Sequence, residues 1–159
     1  MFRHCALTIF LLLPLAATAQ TNIALGGISA DPNAPVEVTA DSLNVDQDSK
    51  SAVFSGNVVI GQGEMRISAA QVKVIYSDAT GDIAQLLASG GVTFVTATEA
   101  AEAQTADYNL TTGLLTLTGD VLLTQGASAL SADSMVVNLT DGTATMQGRV
   151  RTVFQQGNP

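Results

Sequence analysis

The sequence predicts an all-β domain, and three observations lead to this fold class. Apolar residues recur at every second position over short runs, for example Val36, Val38 and Ala40, which is typical of strands with one buried face. Residues that favour turns separate these runs at short intervals, as at positions 78–82. The two stretches that could form helices, 83–88 and 96–104, are too short to be stable as isolated helices.

An internal repeat indicates how the strands are arranged. The segment Gly56-Asn57-Val58, followed by Gln62-Gly63, recurs 63 residues later as Gly119-Asp120-Val121, followed by Gln125-Gly126. Half-length units of roughly 30 residues are also visible, and a similar glycine step begins at Gly148. A strand pair of this size cannot bury its own apolar face, so the units must stack. We therefore predict a twisted, open β-jelly roll of stacked antiparallel strand pairs.

The chain is expected to have four parts. Arg3 and His4 precede an apolar run at 6–15 and small residues at 17–19, which together form the pattern of a secretory signal peptide. The apolar run is shorter than the roughly 20 residues that a membrane span needs. Glycines and prolines in the following segment favour an extended leader that is not packed. The expected parts are a cleaved signal peptide at 1–19, a flexible leader at 20–34, the β-jelly-roll domain at 35–155 and a tail at 156–159.

Charge and composition exclude several classes of function. Of the six basic residues only Arg3 lies in the predicted signal peptide, which leaves five against fourteen acidic residues. The chain therefore offers no basic surface for nucleic acid. The one histidine, His4, and the one cysteine, Cys5, also lie in the predicted signal peptide. The remaining chain can form no disulfide, no Cys–His nucleophile and no Ser-His-Asp triad, and we predict neither a metal ion nor a cofactor.

The carboxylates do not suggest a catalytic site. Asp41, Asp107 and Asp133 stand at equivalent positions of the repeat. A shared role at a turn or strand end therefore explains them better than the carboxylate pair of a glycosidase does. The acidic stretch 46–50 lacks the glycine and the terminal glutamate of a calcium-binding loop. We predict that the protein is not an enzyme.

The predicted inward faces of the strands are mostly aliphatic. The alternation places these residues toward the interior: Phe54, Val58, Ile60, Ile67, Leu117, Val121 and Met135. Such an interior can pack on itself, as in a sandwich core, or hold acyl chains between two sheets. Burial of acyl carbon contributes about 0.8 kcal/mol per methylene group, so a groove of this kind needs no charge to bind lipid. The pattern alone leaves both interpretations open.

The two ends of an open stack of strands need partners or protection. The first predicted strand spans 35–40 and the last spans 148–154, and unpaired edge strands are prone to pair with other chains. Edge-to-edge addition between molecules is therefore one expectation, and capping of the edges by the leader or the tail is the other. The predicted assembly residues are Val36, Val38, Val150 and Val153.

Over positions 35–154 the chain resembles the LptA/OstA-like lipopolysaccharide-transport family. The most specific feature is the step Phe54-Ser55-Gly56-Asn57-Val58 with its Gln-Gly sequence, because a closely similar step recurs at 117–121. The matching segments are 35–41, 54–63, 67–69, 72–74, 117–126 and 149–153.

This resemblance implies a periplasmic jelly roll, open along one side, whose interior takes the lipid A acyl chains of lipopolysaccharide. It also implies that members join head to tail and bridge an LptC-like inner-membrane protein to an LptD-like outer-membrane translocon, as a conduit and not as an enzyme. The positions implied to line the lipid path include Val36, Val38, Phe94, Tyr108 and Leu110.

Two alternatives remain open beside this interpretation. One is an LptC-like member of the same system, and the other is a structural β-solenoid module with a filled core. The connection at 77–91 is rich in alanine and leucine and departs from the family pattern, which leaves the strand register there open.

Overall fold

The structure is a computed structural model that describes residues 21–24, 28, 30, 31 and 33–155. The predicted signal peptide at 1–19 and the predicted tail at 156–159 lie outside the described residues. Within the described part the regular elements are the following β-strands: β1 (Thr21–Ala24), β2 (Glu37–Thr39), β3 (Ser42–Asp46), β4 (Ser51–Gln62), β5 (Met65–Tyr76), β6 (Ile83–Val95), β7 (Glu99–Ala103), β8 (Thr105–Asn109), β9 (Leu114–Gln125), β10 (Ser128–Asn138), β11 (Thr143–Gln147) and β12 (Arg151–Val153). The all-β prediction is confirmed.

The strands form one antiparallel sheet in the order β1-β11-β10-β9-β7-β6-β5-β4-β2. Three further strands of the same sheet pair outside this order: β3 pairs with β4, β8 pairs with β6 and β9, and β12 pairs with β10. Short polar side chains close the hairpins between them. Asp46, for example, accepts hydrogen bonds from the backbone N–H groups of Asp48 at 2.9 Å and Ser49 at 3.3 Å, which is the turn chemistry expected of aspartate.

A single line of irregular residues crosses the whole sheet, and we call it the bend line. Four strand segments each contribute two successive residues with positive φ: Gly56-Asn57, Gly90-Gly91, Gly119-Asp120 and Gly148-Arg149. The segments between them contribute one opposing residue each, namely Asp41, Ala70, Gln104 and Asp133. Two residues opposite one form a β-bulge, which bends a strand. Because bulges recur at the same level across the sheet, the whole sheet folds along this line.

The bend line divides the sheet into two half-sheets. Half-sheet I contains β1, β3, β8, β11 and the paired parts of the long strands, such as the Ser51–Ser55 part of β4. Half-sheet II contains β2, β7, β12 and the remaining parts, such as the Val58–Gln62 part of β4. Apolar residues from both half-sheets form one buried cluster, so the two faces pack against each other as in a sandwich.

The leader segment differs from the expectation of a flexible, unpacked chain. β1 pairs with β11 along four register positions, from Thr21 opposite Met146 to Ala24 opposite Thr143. Ile28 is fully buried and Ala30 is 8% exposed within the apolar cluster. The physical reason is that β11 would otherwise be an edge strand, and that an isoleucine is stabilised by burial.

The predicted terminal strands are shorter than expected because the bend line interrupts them. The first expected strand, 35–40, corresponds to β2, and the chain then passes the bend line at Asp41 and continues as β3. The last expected strand, 148–154, begins with the bulge at Gly148 and Arg149, so that β12 is confined to Arg151–Val153.

Candidate functional site

The predicted lining residues all face the space between the half-sheets. Eight of them are at most 4% exposed: Val58, Ile60, Ile67, Phe94, Tyr108, Leu117, Val121 and Met135. The other four, Val36, Val38, Phe54 and Leu110, are partly buried and pack against this cluster. Phe94 is fully buried whereas its neighbour Thr93 is exposed, so the two residues lie on opposite faces of β6. Lipid binding by these residues stays a prediction.

The protein's own side chains fill the described interior. Large aliphatic residues from both half-sheets, including Leu86, Leu123 and Met146, are less than 2% exposed. Protein interiors pack as densely as organic crystals, so an acyl chain cannot simply be added to this arrangement. The described interior could accommodate a further apolar chain only if the half-sheets separated or some of these side chains moved.

The side of the roll opposite the bend line is its mouth, where the hairpin turns of the two half-sheets face each other. A buried hydrogen bond joins the half-sheets here, because the Tyr108 hydroxyl in half-sheet I donates to Gln62 Oε1 in half-sheet II at 2.9 Å. Their strands, β8 and β4, are three steps apart in the strand order, so the two half-sheets cross at an angle. Burial raises the pKa of Tyr108, which keeps its phenol a neutral donor.

The same glutamine also binds the leader. Gln62 Nε2 donates a hydrogen bond to the carbonyl oxygen of Ala34 at 3.2 Å. Sequence reasoning placed Gln62 in a turn and assigned it no role, whereas the turn begins one residue later and the side chain is 4% exposed. The signal that could have found it is its position on the inward parity of β4, two residues after Ile60.

A second buried polar group lies at the mouth of half-sheet II. The carboxylate of Glu99 is 3% exposed and accepts hydrogen bonds from Thr96 Oγ1 at 2.8 Å, from Thr98 Oγ1 and from Gln125 Nε2 at 3.2 Å. These bonds tie the turn between β6 and β7 to the end of β9. Because buried carboxylates are costly unless they are hydrogen-bonded, this arrangement is best explained as a structural anchor of the mouth.

The inward face is not covered at the β2–β3 end of the roll. Leu43 and Val45 of β3 lie opposite Phe54 and Ala52 of β4, and directly opposed residues share one face of a sheet. Leu43 and Val45 are nevertheless 55% and 61% exposed, because no described strand lies beyond β3. The apolar stripe of the interior therefore continues to the surface at this end.

The other end of the roll combines a capped edge with an open one. β1 covers β11, so the leader caps the edge of half-sheet I. The open edge is β12 in half-sheet II, which among the described strands pairs with β10 alone. Val150 packs against the apolar cluster, whereas Val153 and Phe154 are 48% and 73% exposed. Of the predicted assembly residues, Val36 and Val38 lie at the β2 end and face inward.

Polar pairs lie on the outer surface of the bend line at the Gly56 and Gly148 bulges. Asn57 Nδ2 donates to Asp41 Oδ2 at 2.8 Å, and Arg149 forms an ion pair with Asp133 at 2.6 Å. The hydrogen bond from Arg149 lowers the pKa of Asp133. These two carboxylates have the shared structural role that the repeat suggested.

The third member of the predicted aspartate set, Asp107, is not equivalent to the other two. It accepts a hydrogen bond from Gln85 Nε2 at 2.7 Å, away from the bend line. Its expected position is taken by Gln104, whose Nε2 donates to Asp120 Oδ2 at 3.0 Å. The expectation failed because the three aspartates were matched by the alanine that precedes each of them. The bulges, and not this dipeptide, determine which residue lies on the bend line.

No group of three or more histidine, cysteine, aspartate or glutamate side chains in the described part of the chain could hold a metal ion. None of the described residues belongs to a helix with the length and apolar character needed to cross a membrane.

Comparisons with known proteins agree with this geometry. The sequence model of a family described as LptA/(LptD N-terminal domain) LPS transport protein matches residues 37–158. An uncharacterized protein of Rhizobium meliloti (strain 1021) is 26% identical over 147 residues, which cover 92% of this chain and 67% of that protein. The crystal structure of LptH from Pseudomonas aeruginosa, described as the LptA homologous periplasmic component of the lipopolysaccharide transport device, superposes with a TM-score of 0.71. It is 19% identical and covers 80% of this chain and 99% of that chain, so this similarity shows the fold.

Proposed function

Because this chain belongs to the LptA/(LptD N-terminal domain) family of lipopolysaccharide-transport proteins, we propose that it is a periplasmic carrier that shelters lipid A acyl chains between its half-sheets. The main support is the apolar cluster, which includes residues of the long strands on both sides of the bend line and is bordered by partly buried residues at both ends of the roll. The expected signal peptide and the periplasmic location stated for LptH support the compartment. The role is that of a conduit without catalysis.

The energetics favour binding through the acyl chains. About ten methylene groups moved from water into the interior would contribute roughly 8 kcal/mol, which can offset the separation of packed side chains. The sequence has fourteen acidic and six basic residues, so the surface does not attract anionic phosphates. The headgroup of lipopolysaccharide would therefore remain in solvent at the mouth while its acyl chains enter the interior.

The two ends of the roll support exchange of lipid with partners. Leu43 and Val45 expose part of the inward face at one end, and Phe154 is exposed at the other. A partner strand added to β3 or β12 would extend the sheet and cover these residues. The partners in this proposal are an LptC-like inner-membrane protein, an LptD-like outer-membrane translocon and further copies of this chain joined head to tail.

The competing hypothesis is that the protein is a structural module whose core is permanently filled. The complete burial of the interior side chains favours this hypothesis. Such a module should contain no lipid when it is purified from a Gram-negative periplasm. A carrier should contain lipopolysaccharide that is released by denaturation. Mass spectrometry of the extracted lipid distinguishes the two functions.

The direct experiment uses a photo-crosslinking amino acid at two pairs of adjacent positions. Phe94 and Thr93 lie on opposite faces of β6, and half-buried Leu110 precedes exposed Thr111 at the mouth. We expect lipopolysaccharide adducts at Phe94 and Leu110, and none at Thr93 and Thr111. Circular dichroism controls for folding of each variant. Adducts confined to Thr93 and Thr111, or absent from all four folded variants, would refute the proposed function.

A further inference from the structure

The leader places an aliphatic side chain inside the proposed lipid site. Ile28 is fully buried and belongs to the same apolar cluster as the predicted lining residues, and Ala30 belongs to it as well. Neither residue is part of a strand. The four aliphatic carbons of the Ile28 side chain are thus buried, although the residue lies outside the strands. Their environment is apolar, as an acyl chain requires.

Two hydrogen bonds place this segment across the mouth. The N–H of Ala30 donates to the carbonyl oxygen of Leu139, in the β10–β11 turn of half-sheet I, at 3.2 Å. The carbonyl oxygen of Ala34 accepts from Gln62 Nε2, at the turn end of half-sheet II, at 3.2 Å. Four residues extend over at most about 14 Å, which is compatible with the roughly 10 Å between packed sheets. Described residues of the leader are therefore bonded to both half-sheets on the mouth side of the roll.

Two of the described residues between β1 and β2 are joined to the sheet by hydrogen bonds. Among the described residues of the segment, Ala30 and Ala34 make these bonds, and Asp31 and Asn33 are exposed. Its main stabilisation is burial of apolar carbon, which an acyl chain can replace without loss because the hydrophobic effect is not directional. No charged group has to leave the interior when this exchange occurs.

We propose that the position filled by Ile28 is the entry subsite for an acyl chain, and that the leader is its resident occupant. Lipid binding and docking of Ile28 then exclude each other. This inference rests on the proposed function and specifies how its site is kept closed. The Tyr108–Gln62–Ala34 hydrogen-bond series connects both half-sheets and the leader, so release of Ile28 and opening of the mouth are linked.

The first test is a variant expected to bind lipid more tightly than the wild type. When the competent state is only partly populated, the apparent dissociation constant is raised in inverse proportion to its population. Ile28→Ser weakens docking of the leader, so we expect about tenfold tighter binding of fluorophore-labelled lipopolysaccharide, equivalent to about 1.4 kcal/mol. Asn33→Ser, at an exposed position of the same segment, is the matched control and should bind like the wild type. Equal or weaker binding by folded Ile28→Ser would overturn the inference.

The second test follows the side chain itself. Ile28→Cys and the exposed control Asn33→Cys are made in the full chain with Cys5→Ser. In the absence of lipid we expect a thiol reagent to label position 28 at least tenfold more slowly than position 33. Saturating lipopolysaccharide should bring the two rates together. If lipopolysaccharide binds while position 28 stays protected, the entry subsite is refuted and the carrier function stands. If no variant and no wild-type protein binds lipopolysaccharide, the proposed function fails first.

Discussion

The bend line makes a quantitative prediction about two adjacent glycines. A Cβ atom added at Gly90 would lie 2.6 Å from the Cβ atom of Ala70, whereas one added at Gly91 would have no neighbour within 4 Å. The φ angles are nearly equal, 82° and 85°. Gly90→Ala and Gly91→Ala therefore share the cost of positive φ, about 1–2 kcal/mol, and differ in the steric clash. The Cβ of Ala70 cannot rotate away, so overpacking adds about 1–3 kcal/mol to Gly90→Ala alone.

A double-mutant cycle isolates this clash. Ala70→Gly removes the opposing Cβ and should by itself destabilise the protein by about 0.5–1 kcal/mol, the usual effect of glycine in a strand. In the double variant with Gly90→Ala the clash is gone, so we expect a favourable coupling free energy of about 1–3 kcal/mol. The measurement is the free energy of unfolding in urea, followed by far-ultraviolet circular dichroism. Equal destabilisation by Gly90→Ala and Gly91→Ala, or a coupling free energy near zero, would refute the close approach at the bend line.

Three further predictions concern the mouth, the bend line and the open edge. Tyr108→Phe leaves the buried Gln62 Oε1 without its donor and should lower the free energy of unfolding in urea by about 1–2 kcal/mol; no change would contradict a closed mouth. Arg149 lowers the pKa of Asp133 below its ordinary 3.8. The pair of Arg149 and Asp133 therefore stabilises the folded protein fully above pH 3.8, and this stabilisation is lost as the pH falls through the lower pKa of the folded state. Asp133→Asn should remove that part of the acid dependence of stability, and an unaltered acid unfolding curve would argue against the ion pair. Val153→Asp, at a half-exposed position, should change stability by less than about 0.5 kcal/mol and shift sedimentation toward the monomer; an unchanged distribution at high concentration would count against edge pairing.

The sequence predicted the strands and their inward faces because alternation is a local property. Phe94 and Thr93 could be placed on opposite faces from spacing alone, and the structure agrees. The short stretches at 83–88 and 96–104 became parts of β6 and β7, since alanine-rich segments too short for a helix can complete a sheet that is already formed. The repeat of 63 residues correctly pointed to equivalent structural steps, now seen as the bulges at Gly56 and Gly119.

The bend line leaves a signal in the sequence, but the spacing of apolar residues within one strand does not identify it as a bend. On β5 the buried positions run Met65, Ile67, Ala69 and then Val72 and Val74, so the inward parity changes where Ala70 meets the neighbouring bulges. In a sequence, such a change of parity looks the same as the end of one strand and the start of another. Only the pairing with neighbouring strands shows that one strand continues through a bend.

The closed mouth could not be predicted because it depends on contacts between distant segments. Nothing near Gln62 in the sequence indicates that it will bind both Tyr108 and Ala34. The burial of Ile28 likewise depends on where the chain crosses between the two half-sheets. Glycines and prolines in the leader correctly suggested irregular backbone, but irregular backbone can still bury an individual side chain.

The recurrence of the bend in successive units has a consequence for how such proteins change in size. Each unit contains its own glycine step and its own opposing residue, as at Gly119 with Gln104 and at Gly148 with Asp133. The cross-section of the roll is therefore set within each unit and does not depend on how many units precede or follow it. Insertion or deletion of a pair of hairpins would lengthen or shorten the roll while its width and curvature stayed constant.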